Sequence, residues 1–278
     1  MNKLNFGCGA RIAEGWTNID FHSVDQRVQR VNLLAGFPFP ANHFDVVYSS
    51  HVLEHFTADE ARFLMREASR VLKVNGVIRI VVPDLEQTIR EYLRILDLPD
   101  PDEDKQRSYE WIKIELLDQL VRSSHEGNMG RYIRAVAASG DSRMLTYVRS
   151  RTECAGGVSA SEIPKSLSQK LKGMTREKLT TKMIYWYLAV IKQLIPTHIR
   201  TMVVNNSAIG ERHRWMYDRY GLGLLMKETG FIDVSFRRFN ESAIVGFAEE
   251  HLDANEDGSS YKNVSIYCEA RKGGTLPT

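Results

Sequence analysis

The stretch "LNFGCGA", residues 4–10, decides how the chain is read. A short apolar, strand-like run ends in Gly7 and Gly9 with one residue between them. Neither glycine carries a Cβ, so a chain that turns there can bring bare backbone against a ligand. A lone G-x-G is weak, and the features that follow give it weight. "WTNID", residues 16–20, is a short strand ending in Asp20. "RVQRVNLL" alternates apolar and polar residues up to Asn32, with Leu33 beyond it. "FDVVYSS", residues 44–50, is a β-branched and aromatic strand closing on Ser49 and Ser50. Polar groups therefore stand at successive strand tips, where open parallel sheets bind ligands.

Strand and helix signals continue to alternate. Thr57 and Glu60 form a capping box, and Ala61, Phe63, Leu64, Ala68, Val71 and Leu72 recur at helical spacing. Asn75-Gly76 reads as a turn into "GVIRIVVP", a near-continuous apolar run of the kind buried on both faces. "MYDRYGLGLLMKETG" reads as a helix stopped by Gly230, and "FIDVSFRRF" and "NVSIYCEARK" as an antiparallel edge hairpin. The expected organisation is an α/β core over 1–96 and 213–272, a mostly helical insertion over 97–212, and a loose tail over 273–278. The insertion opens with "DLPDPDEDK", with helical stretches expected at about 106–122 and 176–195.

Bulk composition bounds the function. The 278 residues are 43% hydrophobic and 26% charged, with formal net charge +2. That balance gives no argument for nucleic acid. Cys8, Cys154 and Cys268 are scattered and never in C-x-x-C spacing, which reads as reduced thiols in the cytoplasm. Cys8 itself reads as a small side chain in a tight turn. There is no basic-then-apolar leader at the start and no apolar run long enough to span a membrane.

Within "SSHVLEHF", His51, Glu54 and His55 spell H-x-x-E-H, the string of a zinc peptidase. A peptidase needs those histidines on one face of a long helix, together with a third ligand. Here the capping box starts the helix after His55, and no other histidine or acid is motif-spaced. The expectation is therefore no metal.

Taken together, "LNFGCGA", "WTNIDF", "LAGFPFPANHFDVVYSSHVLEHF" and "EASRVLKVNGVIRIVVPDLE" resemble the class I S-adenosylmethionine-dependent methyltransferases. The match runs over about residues 1–95 and resumes at "HRWMYDRYGLGLLMKETGFIDVSFRRFNES" and "SIYCEARK", in a manner similar to a bacterial subgroup tied to glycan, cell-wall or secondary-metabolite methylation. The sequence departs from the family in three places. The first helix is nearly absent, Ile12 stands where a third glycine would be, and Asn32 replaces the adenine-side acid.

The resemblance implies a Rossmann-like, mostly parallel sheet and S-adenosylmethionine as cofactor, leaving S-adenosylhomocysteine as product. The cofactor residues it points to are Gly7, Gly9, Asp20, Asn32, Leu33, Ser49 and Ser50. It places His51 near the methyl group, while Glu54 and His55 are read as holding the loop by hydrogen bonds. The expected activity is methyl transfer to a hydroxyl of a small molecule or glycan; the other reading is a non-catalytic cofactor-binding scaffold. His51 and His213 are the base candidates. Asp84, His125, Arg214 and Tyr217 are the acceptor-side candidates, with a helix start open for Asp84 and a lid-anchoring cluster open for residues 213–217. Residues 105–214 carry about nineteen Lys/Arg against about nine Asp/Glu, which suits an anionic acceptor or a solvated face. "MIYWYLAVIKQLIP", residues 183–196, is apolar nearly all round and reads as a buried or dimer-forming helix, or one lying on a membrane surface.

Overall fold

The computed structural model describes residues 1–23, 25–99, 103–122, 126–152, 183, 186, 187, 190, 191 and 212–274. Seven strands form one sheet: β1 (Lys3–Phe6), β2 (Thr17–Asp20), β3 (Val28–Arg30), β4 (Phe44–Ser50), β5 (Leu72–Pro83), β6 (Phe231–Arg237) and β7 (Ser265–Lys272). Their order is β3-β2-β1-β4-β5-β7-β6. The first five run parallel, and β7 lies antiparallel between β5 and β6. The order reverses between β1 and β4, so a crevice opens at the carboxyl ends of those two strands.

The period of two sorts side chains between the faces. On β5, Ile78, Ile80 and Val82 join Val47, Leu64, Met65 and Leu222 in the larger core. That face is covered by α1 (Ala58–Val71) and by α6 (Arg219–Glu228). On the other face Val81, Val46, Tyr48 and Tyr267 pack with Trp16, Ile244, Phe247 and Leu252. Loops supply that second cover.

α1 starts where its capping box predicts. Thr57 accepts from the Glu60 amide, and Glu60 accepts from the Thr57 amide. The expected Asn75-Gly76 turn is instead part of β5, which begins at Leu72; its pairing with β4 shifts register between Phe44 and Val46, which face Leu72 and Val77, and Asn75 takes a φ of 64°. No helix joins β1 to β2, as the short spacing implied. The buried Asn18 holds that loop: its Nδ2 donates to the carbonyls of Ala13 and Trp16, and its Oδ1 accepts from the Ala13 amide and from Asn5. These bonds satisfy backbone groups that a helix would otherwise pair.

After α2 (Leu85–Leu96) come α3 (Glu103–Val121), α4 (Gly127–Ser139) and α5 (Ser142–Arg151). The last three share a small core of Trp111, Met129, Ile133, Val136, Met144 and Val148. Of the expected 176–195 helix, Met183, Trp186, Tyr187, Val190 and Ile191 are helical and exposed; the rest lies outside the described residues. Among the described residues, no helix is long and apolar enough to cross a membrane.

Candidate active site

The turn after β1 sits at the sheet's reversal point. Gly7 and Gly9 have φ of 65° and 51°, a region glycine enters at little cost. The Gly7 amide donates to the Ile19 carbonyl at 2.8 Å. A Cβ at Gly7 would fall 2.3 Å from Val52 Cγ2, whereas one at Gly9 would meet nothing within 4 Å. Gly7 thus packs against the loop after β4, and Gly9 faces open space. Asp20, at the tip of β2, fixes the turn by accepting the Gly9 amide at 2.8 Å on Oδ2. Its Oδ1 accepts from His22 at 3.1 Å. Asn32 caps the short turn Leu33–Ala35 through the Leu34 amide. Cys8 is buried, and burial pushes its thiol up to about 11, with Asp20 adding to the rise, so it stays protonated at neutral pH.

One cavity of about 1080 Å³ joins these groups to the histidines. Gly7, Gly9, Asp20, Asn32 and Leu33 line one side, and His51, His55, His213 and Arg214 line the other. A second cavity of about 180 Å³ lies behind the glycine turn, against Cys8, Arg11, Ser50, His51 and Lys262. His51 borders both. Its backbone takes a φ of 55°, unusual for a residue with a side chain, and is held by the hydrogen bond that its amide donates to the Val81 carbonyl at 2.9 Å. Nε2 shares a 2.9 Å hydrogen bond with Ser265 Oγ. Burial holds the His51 ring well below the usual histidine range, and the Lys262 charge adds to this.

Glu54 and His55 lie in the 3-10 turn Leu53–His55, not in a long helix. His55 Nδ1 is 3.2 Å from the Arg212 carbonyl, a contact that ties the turn to the returning chain. Glu54 departs from the loop-holding expectation. Its side chain is 1% exposed, and neither carboxylate oxygen accepts a hydrogen bond. His51 Nδ1 is 3.3 Å from Oε1 but outside hydrogen-bond alignment. Burial pushes Glu54 up to about 8, against a smaller lowering from its own amide and the Lys262 charge. The Glu54 main chain does tie the segments: its carbonyl accepts from Arg214 at 2.7 Å and from Trp215 at 3.2 Å. His213 is 5% exposed, its ring edge-on to His55 with centroids 5.0 Å apart. Burial drives His213 down to about 3, with His55 contributing, and keeps the ring neutral.

Several acceptor-side and cofactor expectations are corrected. Ser49 is 1% exposed and spends its hydroxyl on the Phe6 carbonyl at 3.0 Å, tying β4 to β1. Ser50 points the opposite way and lines the smaller cavity, as the alternation of a strand requires. Asp84 is buried as the N-cap of α2, accepting from the Gln87 amide at 3.0 Å. Tyr217 is 4% exposed within the larger core, and its backbone bridges to Asp84. His125 lies outside the described residues. Arg214 does line the cavity, paired with Glu60 at 2.9 Å. Sequence reasoning passed over Phe21, His22, Leu120 and Arg212, which also line it. The adjacency of His22 to Asp20, and of Arg212 to His213, was the available signal.

The family model described as "Methyltransferase domain" matches residues 5–80. No curated protein matches the chain significantly. Similar solved structures include the YcgJ protein of Bacillus subtilis, 12% identical over 99% of this chain and 92% of that one, at a TM-score of 0.38. An S-adenosylmethionine-dependent methyltransferase from Archaeoglobus fulgidus is 10% identical over 98% and 86%, at 0.37. The cyclase SpnF is 24% identical over 29% of this chain and 38% of its own, at 0.25. Scores this low carry no weight beside the strand order. The sheet's reversal at β1 and β4, the glycine turn bonded to Asp20 and the family match agree. Over residues 5–80 the chain matches a methyltransferase domain, and S-adenosylmethionine is the cofactor which that match supports.

Proposed function

We propose that the protein moves a methyl group from S-adenosylmethionine to a hydroxyl of a small-molecule or glycan acceptor. The observation that carries this reading is the single cavity shared by the glycine turn, Asp20 and Asn32 on one side and three histidines on the other. The cofactor side fits its ligand in kind. A carboxylate at the tip of β2 matches a ribose diol, an amide at Asn32 matches an adenine edge, and the open space over Gly9 admits close backbone approach.

When bound, the cofactor would supply an activated methyl carbon for the acceptor oxygen, with the carbon–sulfur pair going to sulfur and the acceptor's proton released. The protein's part is alignment, exclusion of water and handling of that proton. His51 borders both cavities, so it is the group best placed between cofactor and acceptor. Arg212 adds a positive charge beside the histidines, Arg214 being offset by Glu60, and this suits an anionic sugar or phosphorylated glycan.

The test is transfer of isotopically labelled methyl from the cofactor to a panel of hydroxylated, anionic and neutral acceptors. The expected result is labelled product with matched S-adenosylhomocysteine. His51→Ala and His213→Ala should lower kcat at least tenfold while changing cofactor Kd less than threefold. Cofactor binding with no transfer to any acceptor would favour the scaffold reading instead.

A further inference from the structure

The Glu54 carboxylate has no partner that its burial would demand. A buried carboxylate normally holds a cation or several hydrogen-bond donors, because leaving it bare forfeits its hydration for nothing. This one has neither. Its neighbours are metal-ligand types. Glu54, His55 and His213 each offer one donor atom, and those atoms all lie within 4.8 Å of one another. The backbone sets this meeting independently of any ion. His213 donates its amide to the Gln119 carbonyl at 2.9 Å, and the next two residues donate theirs to Glu54. His213 thereby supplies the third group that no spacing near His51 and His55 could offer.

We infer that Glu54, His55 and His213 bind one divalent transition-metal ion, with its open coordination position facing the large cavity. Two imidazoles and one carboxylate are a zinc-type donor set, and manganese or iron(II) also accepts it. Donors around a tetrahedral ion at about 2.0–2.1 Å stand roughly 3.3 Å apart. Binding would draw the donors in from their present spacing, within 4.8 Å, by side-chain rotation. His51 Nδ1 is 3.3 Å from Glu54 Oε1, and His51 lines the large cavity together with His55 and His213. The ion's role rests on the methyl-transfer reading. Bound to the ion, an acceptor hydroxyl would release its proton to water more readily and present an alkoxide-like oxygen. The site is not the peptidase arrangement, since His51 and His55 share no long helix.

The test uses the full-length protein, stripped with chelator and titrated calorimetrically with Zn²⁺ and Mn²⁺ in the absence of cofactor. Co²⁺ loading is followed by visible absorption. The expected result is one ion per chain at micromolar Kd or tighter, with Co²⁺ d–d bands. Glu54→Gln and His213→Gln should each weaken binding at least tenfold. His251→Ala, at an exposed distant histidine, should leave it unchanged. Near-wild-type circular dichroism qualifies each variant, and Glu54→Gln, close to isosteric, keeps the test open should His213→Gln misfold. Absence of stoichiometric binding for all three ions overturns the inference, as does binding that survives Glu54→Gln. A parallel titration with S-adenosylmethionine separates the two claims. Cofactor binding without metal sinks only the metal site, and metal without cofactor sinks only the methyltransferase reading.

Discussion

Two carboxylate clusters are buried to the same depth and treated in opposite ways. On the loop-covered face of the sheet, Arg79 is fully buried and paired with Asp253 at 2.6 Å and Glu269 at 2.7 Å. Its remaining donors reach the carbonyls of Arg238, Phe239 and Glu241. Tyr48 donates to Asp253 at 2.6 Å, and Glu269 also accepts from Ser242 and the Ala243 amide. Phe247 and Tyr267 lie against the guanidinium at 4.8 and 5.3 Å. At the carboxyl end of the sheet, Glu54 has no hydrogen bond to either oxygen. The first cluster is complete without a ligand, and it fastens residues 238–253 onto the strands. The second is complete only with something added. Burial alone therefore does not separate structural from functional charges; satisfaction of their hydrogen bonds does.

The largest expected effect breaks the first cluster. Arg79→Met leaves Asp253 and Glu269 buried without their cation, and urea unfolding should show a loss of about 3–5 kcal/mol. Glu54→Gln, in the same assay on metal-free protein, should change stability by no more than about 1 kcal/mol, because no native bond is lost. Equal losses in the two variants would erase the distinction.

A smaller contrast of the same kind lies in the glycine turn. Gly7→Ala drives a Cβ into Val52 at a positive φ and should destabilise the fold by about 1–3 kcal/mol. Gly9→Ala shares the unfavourable φ but meets no neighbour, so it should cost about 1 kcal/mol in stability. Its main effect should be a tenfold or larger rise in the cofactor Kd, read by calorimetry. A Gly9→Ala protein that binds the cofactor normally would remove that turn from the binding surface.

Much of the sheet was legible because strands and helices carry different periods, and the Thr57 capping box fixed where α1 begins. The glycine turn and Asp20 were legible because they adjoin strand ends. What failed was whatever needed long-range contacts. Ser49 and Ser50 are neighbours in sequence, and only their strand's orientation decides which one faces the crevice. Asp84 and Tyr217 have the chemistry of acceptor contacts, but they pair with each other at the start of α2 inside the fold. His213 meets His55 only because the chain returns to bond Glu54 after a long excursion. A string such as H-x-x-E-H shows two of a site's groups and conceals the third.

The central claim is the cofactor, and calorimetric titration of the full-length protein tests it most directly. S-adenosylmethionine and S-adenosylhomocysteine should each bind at one site per chain with micromolar Kd. Asp20→Asn should weaken both about tenfold or more, since a charge-assisted hydrogen bond contributes about 1.5–3 kcal/mol. No heat of binding at millimolar ligand, or affinity unmoved by Asp20→Asn, would contradict the account.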